Sequence, residues 1–217
     1  MALNINGTTG ISGVDGSVSA PAVTGTDSNT GITFPSADTI KFSTGGVERM
    51  SITNSGVTGT GIGAGKILQV VSTATTNQFS TTSNSLTDCT PMTVNITPSA
   101  TSSKVLVLVN MTVGGTADNR AGIALQRGST DIFQGADSSS RQGVTTGTPT
   151  AEDNSVYNVA FQYLDSPSST SQLTYHIQVS AQANGSETMY LNRTGNQSNV
   201  QSTKECASSI TVMEVGA

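Results

Sequence analysis

The stretch 31–63, GITFPSADTIKFSTGGVERMSITNSGVTGTGIG, limits the possible folds more than any other part of the chain. Its apolar residues alternate in short pieces, such as Ile32 with Phe34 and Ile40 with Phe42, and Gly, Pro, Ser and Asn separate the pieces. Pieces of this length are strand-like but do not fold alone, and the glycine pairs mark turns with positive φ. We therefore predict a fibrous β segment that buries its apolar side chains against identical neighbours and carries the rest of the chain as a head.

Residues 1–65 carry few apolar side chains for their length. Sixteen are Val, Ile, Leu, Met or Phe. The burial of so few side chains does not offset the entropy that an isolated segment loses when it becomes ordered. Packing against copies of the same chain adds burial for the same ordered residues. We therefore predict a homo-oligomer in which residues 1–65 form an extended, intertwined β arm, and residues 66–217 form the head.

A series of short glycine-rich phrases runs through the arm: 6–13 (NGTTGISG), 25–32 (GTDSNTGI), Thr44-Gly45-Gly46, Glu48-Arg49-Met50, Ser55-Gly56 and 59–63 (GTGIG). In this order they resemble the collar and shaft of bacteriophage tail-fibre-like proteins, particularly those of cyanobacterial phages. The resemblance covers residues 1–65. It implies a trimer, an arm that docks on the tail or baseplate, and a jelly-roll head that contacts the host surface through lipopolysaccharide. A single clear copy of the phrase indicates a short fibre.

Composition excludes several classes of function. Charged residues make up 11% of the chain, the net charge is −5, and the nine basic residues are scattered with no two adjacent. Nucleic-acid binding needs clustered Lys and Arg, so none is predicted. No apolar run is long enough for membrane insertion, and no basic start precedes an apolar core as in a secretory signal peptide. We expect a protein that is made in the host cytoplasm and acts in the virion.

From residue 66 onward the apolar residues form longer strands. The most apolar run, 104–113 (KVLVLVNMTV), is predicted to be a strand buried on both faces at the centre of a sandwich. Residues 156–164 alternate with aromatic side chains, and the last strand places Ile210, Val212 and Glu214 on one face. About eight to ten strands without helical periodicity predict an all-β, antiparallel β-sandwich of jelly-roll type. An immunoglobulin-like sandwich is the alternative, but the chain has no Trp for its Cys…Trp…Cys pattern.

Two turns in the head are predicted from residue type. Gly128-Ser129 joins strands 121–127 and 130–134 in a hairpin, and Asn184-Gly185 joins strands 173–183 and 187–192. In the arm, Asn6-Gly7 is a similar turn signal.

The sequence offers little that could support catalysis. In the run 59–66, GTGIGAGK, Thr60 stands where a phosphate-binding loop needs Gly. The residue after the run, Ile67, stands where such a loop needs Ser or Thr, so no cofactor is predicted. With one histidine and two cysteines, no zinc site is expected. Cys89 and Cys206 are expected as reduced thiols, although a disulfide between them stays open. His176 is expected as a strand residue, and the adjacent acids at 152 and 153 as part of a solvated loop.

A surface that binds host polysaccharide is the more serious candidate. Sugar sites combine an aromatic face with amide and guanidinium donors, and loops of a rigid sandwich are a usual place for recognition. The candidate contact residues are Tyr190, Asn192, Arg193, Arg120 and Arg141. For Tyr190, cross-strand packing is the alternative.

These observations predict a structural virion protein without enzymatic activity, a short phage tail fibre that attaches to the tail or baseplate and contacts the host surface. A capsid decoration or head-fibre protein is the first alternative, because it has the same sequence properties. A polysaccharide-degrading tail spike is the second, in which paired carboxylates would cut the glycan.

Overall fold

The computed structural model of the chain describes residues 4–6, 10–12, 15–59, 65–116, 119–150, 152–181 and 187–216. It divides into two compact units, 1–66 and 67–217. The division lies one residue from the predicted end of the arm. All regular elements among the described residues are β-strands, and every pairing is antiparallel. The predicted all-β class is therefore confirmed.

The first unit consists of short strands joined by turns. They are β1 (Asn4–Asn6), β2 (Gly10–Ser12), β3 (Gly16–Ser17), β4 (Ala20–Pro21), β5 (Val23–Thr24), β6 (Gly31–Ser36), β7 (Thr39–Thr44), β8 (Val47–Thr53) and β9 (Gly56–Gly59). Strands β5 to β9 form one five-stranded meander in chain order. Gly45 and Gly46, in the turn before β8, have φ of 59° and 73°, which an L side chain rarely adopts.

The start of this unit differs from the predicted extended arm. Strands β1 and β2 pair with each other, as do β3 and β4, so the chain folds back on itself within a few residues. The amide of Phe34 donates to the carbonyl of Asp15 at 2.7 Å, which ties the β3 region to β6. Each of these short strands pairs with a strand close to it in the sequence, and the pairing satisfies its backbone hydrogen-bonding groups. The chain therefore forms local hairpins here and does not run extended. Gly7, half of the predicted Asn6-Gly7 turn, lies outside the described residues.

The described residues of the second unit form eleven strands, most of them longer than those of the first unit. They are β10 (Ile67–Thr75), β11 (Phe79–Thr81), β12 (Thr87–Ile96), β13 (Lys104–Gly115), β14 (Asn119–Arg127), β15 (Thr130–Ile132), β16 (Thr146–Thr150), β17 (Val156–Asp165), β18 (Leu173–Ser180), β19 (Met189–Leu191) and β20 (Ser208–Val215). One sheet has the order β10-β20-β13-β17, and β19 and β11 extend it beyond the end of β20. The other has the order β12-β18-β14-β16, with β15 also paired to β14.

The strand order has a recognisable form. If β10, β12, β13, β14, β16, β17, β18 and β20 are numbered one to eight, the two sheets read 1-8-3-6 and 2-7-4-5. This is the order of a double-sheet jelly roll. The inner faces of the two sheets share one core, whose largest fully buried apolar side chains are Tyr175, Met92, Met111, Ile123, Leu125, Ile177, Met189, Leu191 and Ile210.

Strand β13 lies at the centre of its sheet, between β20 and β17, as predicted. The expectation that it is buried on both faces is wrong. Val105 and Val107 are fully buried, but Leu106 and Leu108 are half-buried and Asn110 is exposed. The second sheet stacks on one face only, so the high apolar content of this run does not mean two covered faces.

The other strand predictions have mixed outcomes. The hairpin at Gly128-Ser129 is confirmed, with Arg127 paired to Thr130. The face of β20 with Ile210, Val212 and Glu214 is also confirmed, since all three are buried. The predicted Asn184-Gly185 turn lies outside the described residues, as does most of the 59–66 run, of which 60–64 are not described.

Candidate functional site

The meander of the first unit has an apolar face that its own unit does not bury. Register places on this face Val23, Ile32, Phe34, Ile40, Phe42, Met50, Ile52 and Val57. Phe34 is 40% exposed and Val57 49%. Among residues 15–59, whose side chains the structure describes, no apolar side chain is buried. We call this set of eight side chains the open face.

The opposite side of the same meander is polar. Thr33, Ser43 and Ser51 are its buried side chains, and the hydroxyl of Thr33 has no hydrogen-bond partner among the described residues. Lys41 and Glu48 form an ion pair at 2.6 Å on this side. This ion pair therefore lies away from the open face. A carboxylate borders the face itself: Asp38 lines the same recess as Phe34 and Ile40, and it accepts a hydrogen bond from Asn54 at 3.1 Å.

Three of the predicted contact residues lie together on β19 and the residues after it. The guanidinium carbon of Arg193 lies 3.7 Å from the ring centroid of Tyr190, within cation–π distance. Both side chains are half-buried. This chain segment approaches β13 closely, because an added Cβ at Gly114 would lie 2.1 Å from the carbonyl oxygen of Arg193. The pair is thus held in place by backbone packing and keeps part of its surface open.

Asn192, the residue between them, serves the fold. It is fully buried with φ of 63°. Its amide nitrogen donates to the carbonyls of Thr75 at 3.1 Å and Asn77 at 2.9 Å, and its side-chain oxygen accepts from the hydroxyl of Ser208 at 2.5 Å. No atom of this side chain is open to an external ligand, so we withdraw Asn192 as a contact residue.

The two remaining predicted contacts lie elsewhere on the second unit. Arg120 is exposed on β14, where it pairs with Pro149 of β16. Arg141 is exposed in the loop between β15 and β16 and donates to the hydroxyl of Ser138 at 3.0 Å. They belong to the second sheet and its loop, whereas Tyr190 and Arg193 belong to the first.

An aromatic cluster that the sequence did not reveal stands at the edge of the second unit. The rings of Phe133 and Tyr163 are stacked, with centroids 4.9 Å apart and planes 14° apart, and Phe161 lies 6.4 Å from Phe133. Alternation along β17 predicts that Phe161 and Tyr163 lie on the same face of that strand. Phe133 follows β15 and has φ of 54°, a left-handed conformation that costs about 1–3 kcal/mol for such a residue. No residue pattern signals that conformation.

Beside this cluster lies a recess of about 310 Å³. Its polar walls come from Asp131, Gln134, Asp137 and Gln142, and its apolar lining comes from Phe133 and Leu86. A second recess of about 340 Å³ on the same loop shares Asp137 and Gln142 and includes Arg141. The loop therefore brings one predicted contact residue close to side chains that were not predicted.

Two buried carboxylates are held by hydrogen bonds. Asp165 of β17 accepts from the hydroxyl of Tyr175 at 2.7 Å and forms an ion pair with Arg127. Burial and the Asp165 carboxylate both raise the pKa of Tyr175. Since β17 belongs to one sheet and both partners to the other, this trio links the sheets at one end.

Glu214 on β20 is the second buried carboxylate, 1% exposed. It accepts from the amide and hydroxyl of Ser99 at 2.7 and 2.6 Å, and from Gln69 at 2.7 Å. Burial alone would raise its pKa, but hydrogen bonds from Ser99, Gln69 and Ser103 outweigh burial and lower the pKa to about 2. The group is a structural anchor at the rim of the sandwich.

Other reactive side chains have local partners or are shielded. His176 lies on β18, with Nε2 3.0 Å from the carbonyl oxygen of Gly128 and Nδ1 3.6 Å from Asp88. Cys89 is buried, which raises the pKa of its thiol to about 12, and both it and Cys206 are free thiols. The acids at 152 and 153 are exposed in the loop before β17.

Among the residues that the structure describes, no three His, Cys, Asp or Glu side chains are grouped so as to hold a metal ion. Within that same part of the chain, no helix is long and apolar enough to cross a bilayer. Comparison with protein-family models finds no match, and comparison with curated proteins finds none. The resemblance of residues 1–65 to phage fibres stays a prediction carried by the quoted phrases.

Proposed function

We propose that the protein is a non-enzymatic structural subunit of a phage particle, a short fibre whose first unit assembles copies of the chain and whose second unit forms the exposed head. The observation that carries this proposal is the open face. A sheet that leaves eight apolar side chains on one side unburied needs a further layer to be stable.

A second copy of the chain is the occupant that fits the open face best. The eight side chains that form it are all uncharged, so their contact brings no like charges together even though each chain carries a net charge of −5 and Asp38 borders the face. Depletion of charge and enrichment of Phe, Met and Ile are typical of the buried centre of a homo-oligomer interface. The trimeric state and the intertwining of the arms are part of the proposal and rest on the resemblance to phage fibres.

The head suits a role in contact with the host surface. Its jelly-roll core carries exposed loops, and hydrogen bonds connect the two sides of the loop that joins β15 to β16. In this proposal the first unit also docks on the tail or baseplate, and the head meets host polysaccharide. The fibre is made in the host cytoplasm and functions in the virion.

The assembly can be tested by placing a charge on the open face. We expect the wild-type protein to have a solution mass of three times 22.0 kDa that persists on dilution. Ile40→Asp should dissociate it, because a carboxylate buried at the interface loses its hydration without a partner. Thr58→Asp introduces the same residue at an exposed position on the opposite side of the same sheet, and should leave the mass unchanged. Light scattering coupled to gel filtration gives the masses. A folded wild-type monomer would remove the basis of the proposal.

The location of the protein within the particle needs a separate measurement. Cryo-electron microscopy of particles that carry the protein should show a few copies at the tail. Hundreds of copies on the capsid would instead make it a decoration protein. Release of reducing ends from host envelope glycan at enzymatic rates would overturn the non-enzymatic role.

A further inference from the structure

We propose that the recess beside Phe133 is a saccharide-binding site that takes a neutral or amino-bearing sugar ring. The proposal deepens the host-contact role suggested above and rests on it for its biological meaning. Binding itself can be measured on the isolated protein. The recess is formed by β15, the loop that follows it and Leu86, and neither Tyr190 nor Arg193 lines it.

The first argument is the aromatic platform. One face of the Phe133 ring stacks on Tyr163 and so fixes the orientation of the ring. The residue is nonetheless 47% exposed, and it lines the recess. A ring that is supported on one side and open on the other offers a flat apolar surface, which matches the C–H face of a pyranose.

The second argument is the backbone conformation at the same residue. Phe133 has φ of 54°, and the preceding residue, Ile132, is buried. Glycine would adopt this conformation without strain, whereas an aromatic residue is strained there. The turn directs the large apolar side chain out of the core and onto the wall of the recess. Strain of this kind, stored where a side chain is presented to solvent, points to a binding role.

The third argument is the set of polar groups around the ring. Asp131 accepts from Gln126 and Gln134 through Oδ1, and Asp137 accepts from the amide of Gly143 through Oδ1. In both, the second carboxylate oxygen has no hydrogen-bond partner within the described part of the chain and can accept from sugar hydroxyls. Gln142 uses its side-chain oxygen to accept from Ser180, so its amide nitrogen can donate to a ligand.

Charge determines which sugars fit. Of the described residues that line the recess, two are carboxylates and none is basic. A phosphorylated, sulfated or uronic-acid ring would therefore meet like charge, whereas a neutral or amino-bearing ring would not. This selectivity is the opposite of the one that the predicted arginine contacts imply.

Backbone contacts connect the two sides of the loop that carries these groups. The amide of Gly135 donates to the carbonyl of Val144 at 3.1 Å, and Ser138 and Arg141 exchange backbone hydrogen bonds at 3.0 Å. At Gly143 an added Cβ would lie 2.0 Å from the carbonyl oxygen of Gly135, so the two sides of the loop are in direct contact. A recess organised before binding loses little entropy when a ligand enters.

The test is ligand-observed NMR on the full chain. The probes are the methyl glycosides of glucose, galactose, mannose and glucosamine, with glucuronic acid and glucose 6-phosphate as the anionic set. We expect saturation transfer to at least one neutral or amino sugar, with a dissociation constant on the order of 1 mM, and at least about tenfold weaker binding of the anionic set. Phe133→Gly removes the ring and the backbone strain together, and should weaken binding about tenfold or more without lowering the melting temperature.

Two variants serve as controls. Ser139→Gly relieves the same left-handed conformation in the same loop, at φ of 54°, without removing a side chain that lines the recess, and should bind as wild type does. Phe133→Trp keeps an aromatic platform and should retain binding. Absence of binding to every neutral and amino sugar, or equal binding by Phe133→Gly and wild type, would overturn the proposal. The solution mass in the same samples reports fibre assembly, so a failed sugar site is distinguished from a failed fibre.

Discussion

At the scale of single residues, Glu214 gives the sharpest expectation. The pKa of about 2 in the folded state is below the usual 4.5, so this carboxylate stabilises the fold above pH 4.5, and the contribution is lost as the pH falls through about 2. Glu214→Gln turns an amide group toward a donor and should lower the free energy of unfolding at pH 7 by about 1–3 kcal/mol. Urea unfolding followed by circular dichroism between pH 7 and pH 2 measures both effects.

The acid-dependent part of this expectation has its own control. Glu214→Gln should lose less stability than wild type between pH 4.5 and pH 2, because it has no carboxylate to protonate at this site. Glu152→Gln makes the same change in an exposed loop and should follow the wild-type profile. Identical acid profiles for all three proteins would show that the buried network does not hold the carboxylate ionised.

Single residues also show which features can be predicted from the sequence and which cannot. Alternation along the last strand placed Glu214 on the buried face beside Ile210 and Val212, because strand periodicity depends only on the chain itself. The amide group of Asn192 predicted a contact with a ligand. The hydrogen-bond partners of its amide nitrogen lie more than a hundred positions away in the sequence, and they hold the side chain in the interior. Phe133 was missed because its exposure follows from a backbone turn that aromatic residues rarely adopt.

At the scale of elements, the Arg127–Asp165–Tyr175 trio joins strands of the two sheets. Tyr175→Phe removes the hydroxyl that donates to the buried carboxylate, and should lower the free energy of unfolding by about 1–3 kcal/mol. Tyr163→Phe is the matched control, since its hydroxyl makes no hydrogen bond within the described part of the chain, and its effect should stay within about 0.5 kcal/mol. Chemical denaturation gives both values. An equal loss for both would show that the trio contributes nothing beyond the packing of the ring.

A strand or turn could be predicted where the residues that determine it are neighbours in the sequence. The hairpin at Gly128-Ser129 follows from turn residues between alternating strands, and the central place of β13 follows from its apolar content. The half-exposed outer face of β13 could not be predicted from the sequence, because the number of layers that stack on a sheet is a tertiary property. The short strands of residues 31–59 were visible as alternation, and the register that gathers them into one open face needed the structure.

At the scale of the whole molecule, strand order decides when the second unit can form. Strand β20 pairs with β10 on one side and with β13 on the other, so it fills the middle of its sheet. We expect ribosome-bound chains that expose β10 to β18 but not 208–215 to be digested readily by protease. Chains that also expose 208–215 should become resistant. Resistance before β20 emerges would contradict the expectation, and fluorescence-labelled gels of the digests distinguish the two outcomes.

The central position of β20 also makes the second unit sensitive to truncation. Without this strand, β10 and β13 face each other across an empty place in the sheet, and Ile210 and Val212 are missing from the core. A chain that stops before residue 208 would therefore keep two unpaired strand edges, which favour aggregation and proteolysis. Loss of this one strand divides the sheet at its middle, whereas loss of a strand from its margin would leave the remaining pairings intact.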